Sequence, residues 1–230
     1  MQQSDQYRHE LKYRIPYSEY IAMRARLAPV MKKDPHSRAD GTYLIRSIYF
    51  DNGDDKALRE KAEGYQKREK FRIRYYNDDL SYMVLEKKIK TGRLTQKFDA
   101  VITEDECRRL LAGDRAWMKE HPDDLVRELY AKMKWQDLRP RLTVSYLREP
   151  YIFRAGNVRI TFDSHIRTSL FNRDFLSEDR NDISATDTPG DIILEVKYDA
   201  FLPEIIQDII QTRGIRQEAF SKYGSCRRYG

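Results

Sequence analysis

Cysteine is nearly absent: Cys107 and Cys226 are the only two in 230 residues, far apart and at no metal-ligand spacing. That usage excludes a disulfide framework and fits a reducing, cytoplasmic compartment. Four scattered histidines, His9, His36, His121 and His165, speak against a histidine-built metal centre, and His165 lies just past Asp163 of a motif used below. No apolar run approaches the length of a bilayer span. The opening residues 1–8 are polar and lack the apolar core of a secretory signal. There is no internal repeat and no low-complexity tract. Excess charge of one sign is also small: 43 basic against 37 acidic residues leave a formal +6, which does not by itself imply a nucleic-acid partner.

What is there is the composition of a soluble globular chain, 40% apolar and 35% charged, with a length that favours one domain over residues 1–230. Strand patterns dominate. They are expected at 7–15, 43–50, 69–76, 82–90, 95–102, 141–153, 158–163 and 192–198. Turns fall at Asp51-Asn52-Gly53-Asp54, Asn77-Asp78-Asp79, Thr91-Gly92-Arg93 and Ala155-Gly156-Asn157. Helices are expected from Pro16 to about Met31, before Gly64, from Thr103 to Leu111, over 123–134, 203–212 and 218–228. Thr103 with Glu106 forms a capping box at the head of the third. Lys32 to Gly41 reads as a polar loop, and 171–190 as a polar excursion whose acidic cluster, Glu178, Asp179 and Asp182, is a solvated loop. Trp117 and Trp135 flank the inserted helices as anchors, and most of the sixteen tyrosines belong to the core or the sheet wall. Antiparallel strands interleaved with helices indicate an α+β fold with helices covering the outside of a sheet or barrel.

One pattern recurs on most strands. Residues two apart share a face, so Arg72 with Arg74, Glu86 with Lys88, Arg159 with Thr161 and Asp163, Glu195 with Lys197, Glu10 with Lys12 and Tyr146 with Arg148 each point one way, mostly against an apolar back. On the pattern alone, a sheet with one wet face and a closed channel both fit. In a channel, so many cations need a polyanion to neutralise them, and a phosphate chain suits planar Arg forks and Lys point charges. Carboxylates in such a place would repel phosphate unless a divalent cation bridged them, which makes Glu195, Glu86 and Glu10 candidate metal ligands.

Arg-Ile-Arg-Tyr (72–75), Leu-Glu-Lys-Lys (85–88), Arg-Ile-Thr-Phe-Asp (159–163), Leu-Glu-Val-Lys-Tyr (194–198) and Phe-Ser-Lys-Tyr (220–223) stand in this order, with Ile-Tyr-Phe-Asp-Asn (48–52) before them. Over nearly the whole chain this series resembles VTC-type polyphosphate polymerase domains, members of the triphosphate tunnel metalloenzymes. The resemblance implies a closed eight-stranded antiparallel β-barrel tunnel with helices packed outside. In it, ATP passes its γ-phosphoryl group to a growing polyphosphate chain with the help of Mn²⁺ or Mg²⁺. Carried over by motif, Arg72, Arg74, Lys88, Arg148, Arg159 and Lys197 would clamp phosphate as catalytic groups. Lys12, Lys97, Tyr146, Ser221 and Lys222 would bind phosphate, and Glu195 would be the principal metal ligand. Membrane-bound relatives thread product across a bilayer, for which this chain would need a partner.

The wider superfamily's hydrolases carry Glu-x-Glu-x-Lys on the first strand. Here the line reads Arg8-His9-Glu10-Leu11-Lys12, and Arg8 in place of the first glutamate favours the polymerase branch. Competing expectations are a triphosphatase or nucleotidase, with water as acceptor, and a non-catalytic module binding polyphosphate or an inositol phosphate. A nucleic-acid binder is disfavoured, because the basic residues alternate within strands and are interrupted by Glu, with no basic tail.

Overall fold

The computed structural model describes residues 8–92, 94–169, 175–177, 182–185, 190–211, 217–218 and 220–228. The expectations for Tyr7, Arg93, Glu178 and Asp179 lie outside the described residues. The strands are β1 (His9–Ile15), β2 (Lys32–Lys33), β3 (Tyr43–Asp51), β4 (Lys67–Tyr76), β5 (Asp79–Thr91), β6 (Leu94–Ile102), β7 (Arg139–Phe153), β8 (Val158–Ser169), β9 (Ile183–Ser184) and β10 (Ile192–Tyr198). The helices are α1 (Tyr17–Leu27), α2 (Lys56–Ala62), α3 (Glu104–Leu111), α4 (Asp124–Trp135), α5 (Glu204–Ile210) and α6 (Lys222–Cys226), with a 3₁₀ turn at Ala116–Glu120.

These elements arise where the local chemistry demands them. The Thr103 hydroxyl accepts from the Glu106 N–H and the Glu106 carboxylate accepts from the Thr103 N–H, which closes the capping box that starts α3. Gly156 turns the chain from β7 into β8 at φ +69°, and a Cβ there would lie 2.4 Å from the Phe201 carbonyl oxygen, so both backbone and space require glycine. The C-terminal helix is shorter than expected, because Ser221 caps it by accepting from the Gly224 N–H. Two readings of the intervening segments change. Lys32 and Lys33, expected in a loop, pair with β7. Asp182 is buried and ion-paired to Arg46, so it is not part of a solvated cluster.

Eight strands follow one antiparallel path, β1-β10-β8-β7-β3-β4-β5-β6, with β2 added on β7 and β9 on β8. The expected closure is not found: among the described residues no backbone ladder joins β1 to β6, so the sheet is open and not a closed barrel. The physical reason lies at the free edge of β1. That edge is taken by the C-terminal segment, where Tyr13 bridges Gln217 and the Glu218 N–H donates to the Lys12 carbonyl at 2.9 Å. The sheet still curls far enough for Glu10 of β1 to reach Lys88 of β5 at 3.1 Å.

Helices α1, α3, α4 and α5 cover one face. One apolar cluster packs α3, α4 and the 3₁₀ turn on β3 to β6 through Ile48, Phe50, Ile73, Leu85, Cys107 and Leu129. A second packs α1 and α5 on β1, β8 and β10 through Met23, Leu27, Ile160, Leu194 and Ile206. The alternate residues of the same strands face the other way. There Ile45, Val144, Ile193, Tyr223 and Cys226 seat α6 on the inner face. Trp117 packs against the first cluster as an anchor, whereas Trp135 is 79% exposed and anchors nothing. Both cysteines are free and buried. Among the described residues no helix is long and apolar enough to cross a membrane.

Candidate functional site

The inner face encloses a cavity of about 240 Å³ whose lining carries eleven basic and three acidic side chains. Strand alternation puts them there. β4 turns Arg68, Lys70, Arg72 and Arg74 inward, every second residue; β5 answers with Glu86, Lys88 and Lys90. β1 brings Glu10 and Lys12, β10 brings Glu195 and Lys197, β7 brings Tyr146 and Arg148, and the α6 entry adds Ser221 and Lys222.

Around the cavity the charges form three ion-paired groups, the second and third meeting at Glu195. In the first, Arg72 binds Glu86 directly and donates to the Tyr49 hydroxyl at 2.9 Å, while Arg74 lies 3.6 Å and Lys97 2.9 Å from Glu86. Burial pushes the Glu86 carboxyl up, but Arg72, Arg74 and Lys97 outweigh it and hold it far below the usual carboxylate range. In the second, Arg148 forks onto both oxygens of Asp163 at 2.6 and 2.7 Å and reaches Glu195 at 3.2 Å. Lys222 meets Asp163 from the other side at 2.5 Å. The third joins Lys12 to Glu10 at 3.1 Å and to Glu195 at 3.8 Å, Lys197 to Glu195 at 3.1 Å, and Lys88 to Glu10 at 3.1 Å. Burial would raise the Glu195 carboxyl, and Lys197, Lys12 and Arg148 keep it well depressed instead. It is a permanent anion at neutral pH.

Two of the expected clamps lie outside the cavity lining. Arg159 donates to Asp34 at 2.8 Å and to the Tyr43 hydroxyl at 2.6 Å, and Lys97 is shared between Glu86 and Asp99. His165 is exposed, with its ring beside Ser164. Other expected residues, Lys12, Arg72, Arg74, Lys88, Tyr146, Arg148, Lys197, Ser221, Lys222, Glu10, Glu86 and Glu195, meet on one surface.

Several residues went unread in the sequence. Arg68, Lys70 and Lys90 extend the very alternation seen at 72–74 and 86–88, so their signal was present. Tyr49 and Phe220 stood inside quoted motifs. Asp163 was placed on the charged face without a role. Lys61 comes from α2, and no strand periodicity could have signalled it.

Lys197 titrates unusually low. Glu195 favours its charged form, but burial and the neighbouring Arg148 and Lys88 prevail and bring it down to about 8. Lys70 also falls to about 8, chiefly through burial. The sign follows: both ammonium groups are charged below that pH and neutral above it, and a bound anion favours the charged form. Affinity for long-chain linear polyphosphate, whose interior groups stay fully ionised, should therefore weaken as pH rises from 7 to 9, with net proton uptake on binding near pH 8. Calorimetry in two buffers of different ionisation enthalpy measures this, and pH-independent binding without proton uptake would refute it.

Among the described residues no group of three or more His, Cys, Asp or Glu could hold a metal by itself. Glu10 and Glu195 nonetheless converge on the same Lys12 ammonium. Hard cations such as Mg²⁺ are commonly held by one or two carboxylates with substrate phosphates completing the shell, so this oxygen pair fits such an ion. Among the described residues Glu86 shares no cation with that pair, and it belongs to the Arg72 group.

An antiparallel, helix-backed sheet of this kind is shared with proteins of known structure. Over 97% of this chain and 100% of the other, it superposes on the PH1819 protein from Pyrococcus horikoshii OT3 with a TM-score of 0.50 and 13% identity. A candidate adenylate cyclase from Bacillus halodurans matches with a TM-score of 0.52 and 14% identity over 93% of this chain and 95% of that one. At such identities the likeness speaks for the fold alone. No curated protein matches the sequence. The VTC domain family matches residues 7–229, nearly the whole length, and the chain belongs to that family.

Proposed function

We propose that the protein is a polyphosphate polymerase that transfers the γ-phosphoryl group of ATP to a growing inorganic polyphosphate chain. The observation that carries this reading is the large excess of cations over carboxylates in one narrow cavity of a VTC domain. In the reaction, an ionised oxygen of the acceptor's terminal phosphate forms a bond to the γ-phosphorus. The bond from γ-phosphorus to the β–γ bridging oxygen breaks, and that oxygen leaves with ADP. No general base is required, so positioning and fixed charge carry the catalysis. Arg72, Arg74 and Arg148 present guanidinium forks, pre-oriented by Glu86 and Asp163, to the equatorial oxygens of the transferring group. Lys12, Lys88, Lys197 and Lys222 supply point charge, and the Ser221 hydroxyl and the buried Tyr146 hydroxyl orient oxygens. Glu10 and Glu195 would hold Mn²⁺ or Mg²⁺, which would neutralise charge between the β- and γ-phosphates. Arg159 and Lys97 act from outside the lining, through Tyr43 and Glu86.

A triphosphatase would use the same residues with water as acceptor. Arg8, just ahead of β1 at the position that a second carboxylate would need, is paired with Asp199 at 2.9 Å, which favours the polymerase reading. Purified protein given ATP and Mn²⁺ is expected to form long polyphosphate on a gel, and addition of EDTA to stop it. Release of free phosphate without polymer would transfer the assignment to a triphosphatase, and neither product would leave a binding module.

A further inference from the structure

The cavity is not uniform along its length. Arg72, Arg74, Lys88, Lys12, Arg148, Lys197 and Lys222 each have a carboxylate within ion-pair distance. Among the described residues Arg68, Lys70 and Lys90 have none. Register makes this stranger. Arg68 lies directly opposite Lys90 and Lys70 directly opposite Lys88, whereas the next inward pair, Arg72 and Glu86, is of opposite sign. Like charges facing each other across strands are destabilising, and sheets ordinarily avoid them.

Simple solvation does not account for the set. Along β5 the inward residues pass from buried Glu86 through half-buried Lys88 to exposed Lys90, so the stretch is a mouth that opens to water. Lys70, however, is half-buried in it, with its ammonium over the Tyr223 ring at 5.0 Å and a proton affinity lowered chiefly by burial. The α2 residue Lys61 adds its charge to the same lining and feels Lys12, Arg68 and Lys90. Glu10 and Asp51 act on Lys90 and Lys70 only from beyond ion-pair distance, and a fold that holds cations together at such a cost is arranged for an external anion. The anion must be thin, because the cavity is only about 240 Å³. It must also be long: Arg68 to Arg74 covers roughly 20 Å of strand at about 3.3 Å per residue, more than a triphosphate can span.

We propose that Arg68, Lys70 and Lys90 form a chain-length subsite that grips the part of a linear polyphosphate lying beyond the reacting phosphates, at the mouth through which the chain passes. The subsite rests on the proposed function only in taking phosphate chains as the ligand. Its effect is discrimination: long chains engage both the ion-paired centre and the carboxylate-free mouth, and triphosphate engages the centre.

The test uses the full chain and an Arg68→Gln/Lys90→Gln double variant, titrated calorimetrically with inorganic tripolyphosphate and with long-chain linear polyphosphate. The ratio of the two affinities is read, so statistical advantages of a long chain cancel between wild type and variant. That ratio is expected to fall at least tenfold in the variant. The salt dependence of long-chain binding should flatten by roughly one unit of slope per cation removed. An equal loss for both ligands, or no loss for either, would overturn the proposal. The melting temperature of the ligand-free variant at low salt should equal or exceed that of wild type, since repulsion is relieved. A lower one would make these residues structural and also overturn it. The two readings fail separately. If wild type makes no polymer from ATP while the ratio still collapses, the reaction is lost and the subsite stands. Polymer synthesis with an unchanged ratio removes the subsite alone.

Discussion

Polyphosphate synthesis by a Glu195→Gln variant is expected to fall by at least about 10²-fold, the usual cost of removing one fixed charge that a phosphoryl-transfer site depends on. Glu195 is the carboxylate on which Lys12, Lys197 and Arg148 all converge, and with Glu10 it forms the oxygen pair proposed for the metal. Removing it leaves three cations less well neutralised. The cost of breaking a buried pair is about 3–5 kcal/mol. The cost here lies toward the low end, because the Lys12 and Lys197 side chains are partly exposed. A second buried glutamate separates stability from turnover. Glu149 faces away from the cavity and accepts from Tyr20 at 2.6 Å, Arg24 at 2.9 Å and Tyr151 at 2.8 Å, tying α1 to β7. Glu149→Gln should lower the melting temperature yet keep near-wild-type activity per folded molecule. If both variants lose activity in the same proportion at a temperature where both are folded, Glu195 has no special place in the reaction.

The largest stability effect is expected at Asp163. Its carboxylate is fully buried and is held in its charged form against burial by Arg148 and Lys222. Asparagine keeps the shape and removes the charge, leaving the Lys222 ammonium without this carboxylate and buried Arg148 with Glu195 alone. A loss of about 3–5 kcal/mol follows, which at this chain length corresponds to a fall in melting temperature of roughly 6–20 °C. Activity should fall with it, since Arg148 loses the fork that aims it. The same two cations face the cavity, so a phosphate anion can replace part of what the carboxylate supplied. Tripolyphosphate is accordingly expected to raise the melting temperature of Asp163→Asn by more than it raises that of wild type. An equal ligand shift in both proteins, or an unchanged melting temperature in the variant, would contradict the role assigned to Asp163.

The strands and the side chains they turn inward were legible because alternation is a local property. Arg72 and Arg74 must share a face wherever the strand goes, and so must Glu86 and Lys88, or Glu195 and Lys197. The same rule would have reached Arg68, Lys70 and Lys90 had the alternation been followed to the strand ends. The capping box at Thr103 and the turn at Gly156 were equally local. Trp135 shows the limit of such reading, since its place beside a helix says nothing about whether another element covers it.

Closure was a different matter. Whether β1 pairs with β6 depends on which segment reaches the free edge of β1, and Gln217 and Glu218 take it from some 200 residues away. Partnership among charges is likewise non-local. Nothing near Arg159 in sequence announces Asp34, and nothing near Arg148 announces its shared hold with Lys222 on Asp163. The sequence by itself determined which charged residues share the inner face, because periodicity suffices for that, and its ordered motifs pointed to the family. Only the tertiary structure decided which cations are already neutralised and which are left for the ligand, because an ion pair is a distance between elements and the sequence contains no distances.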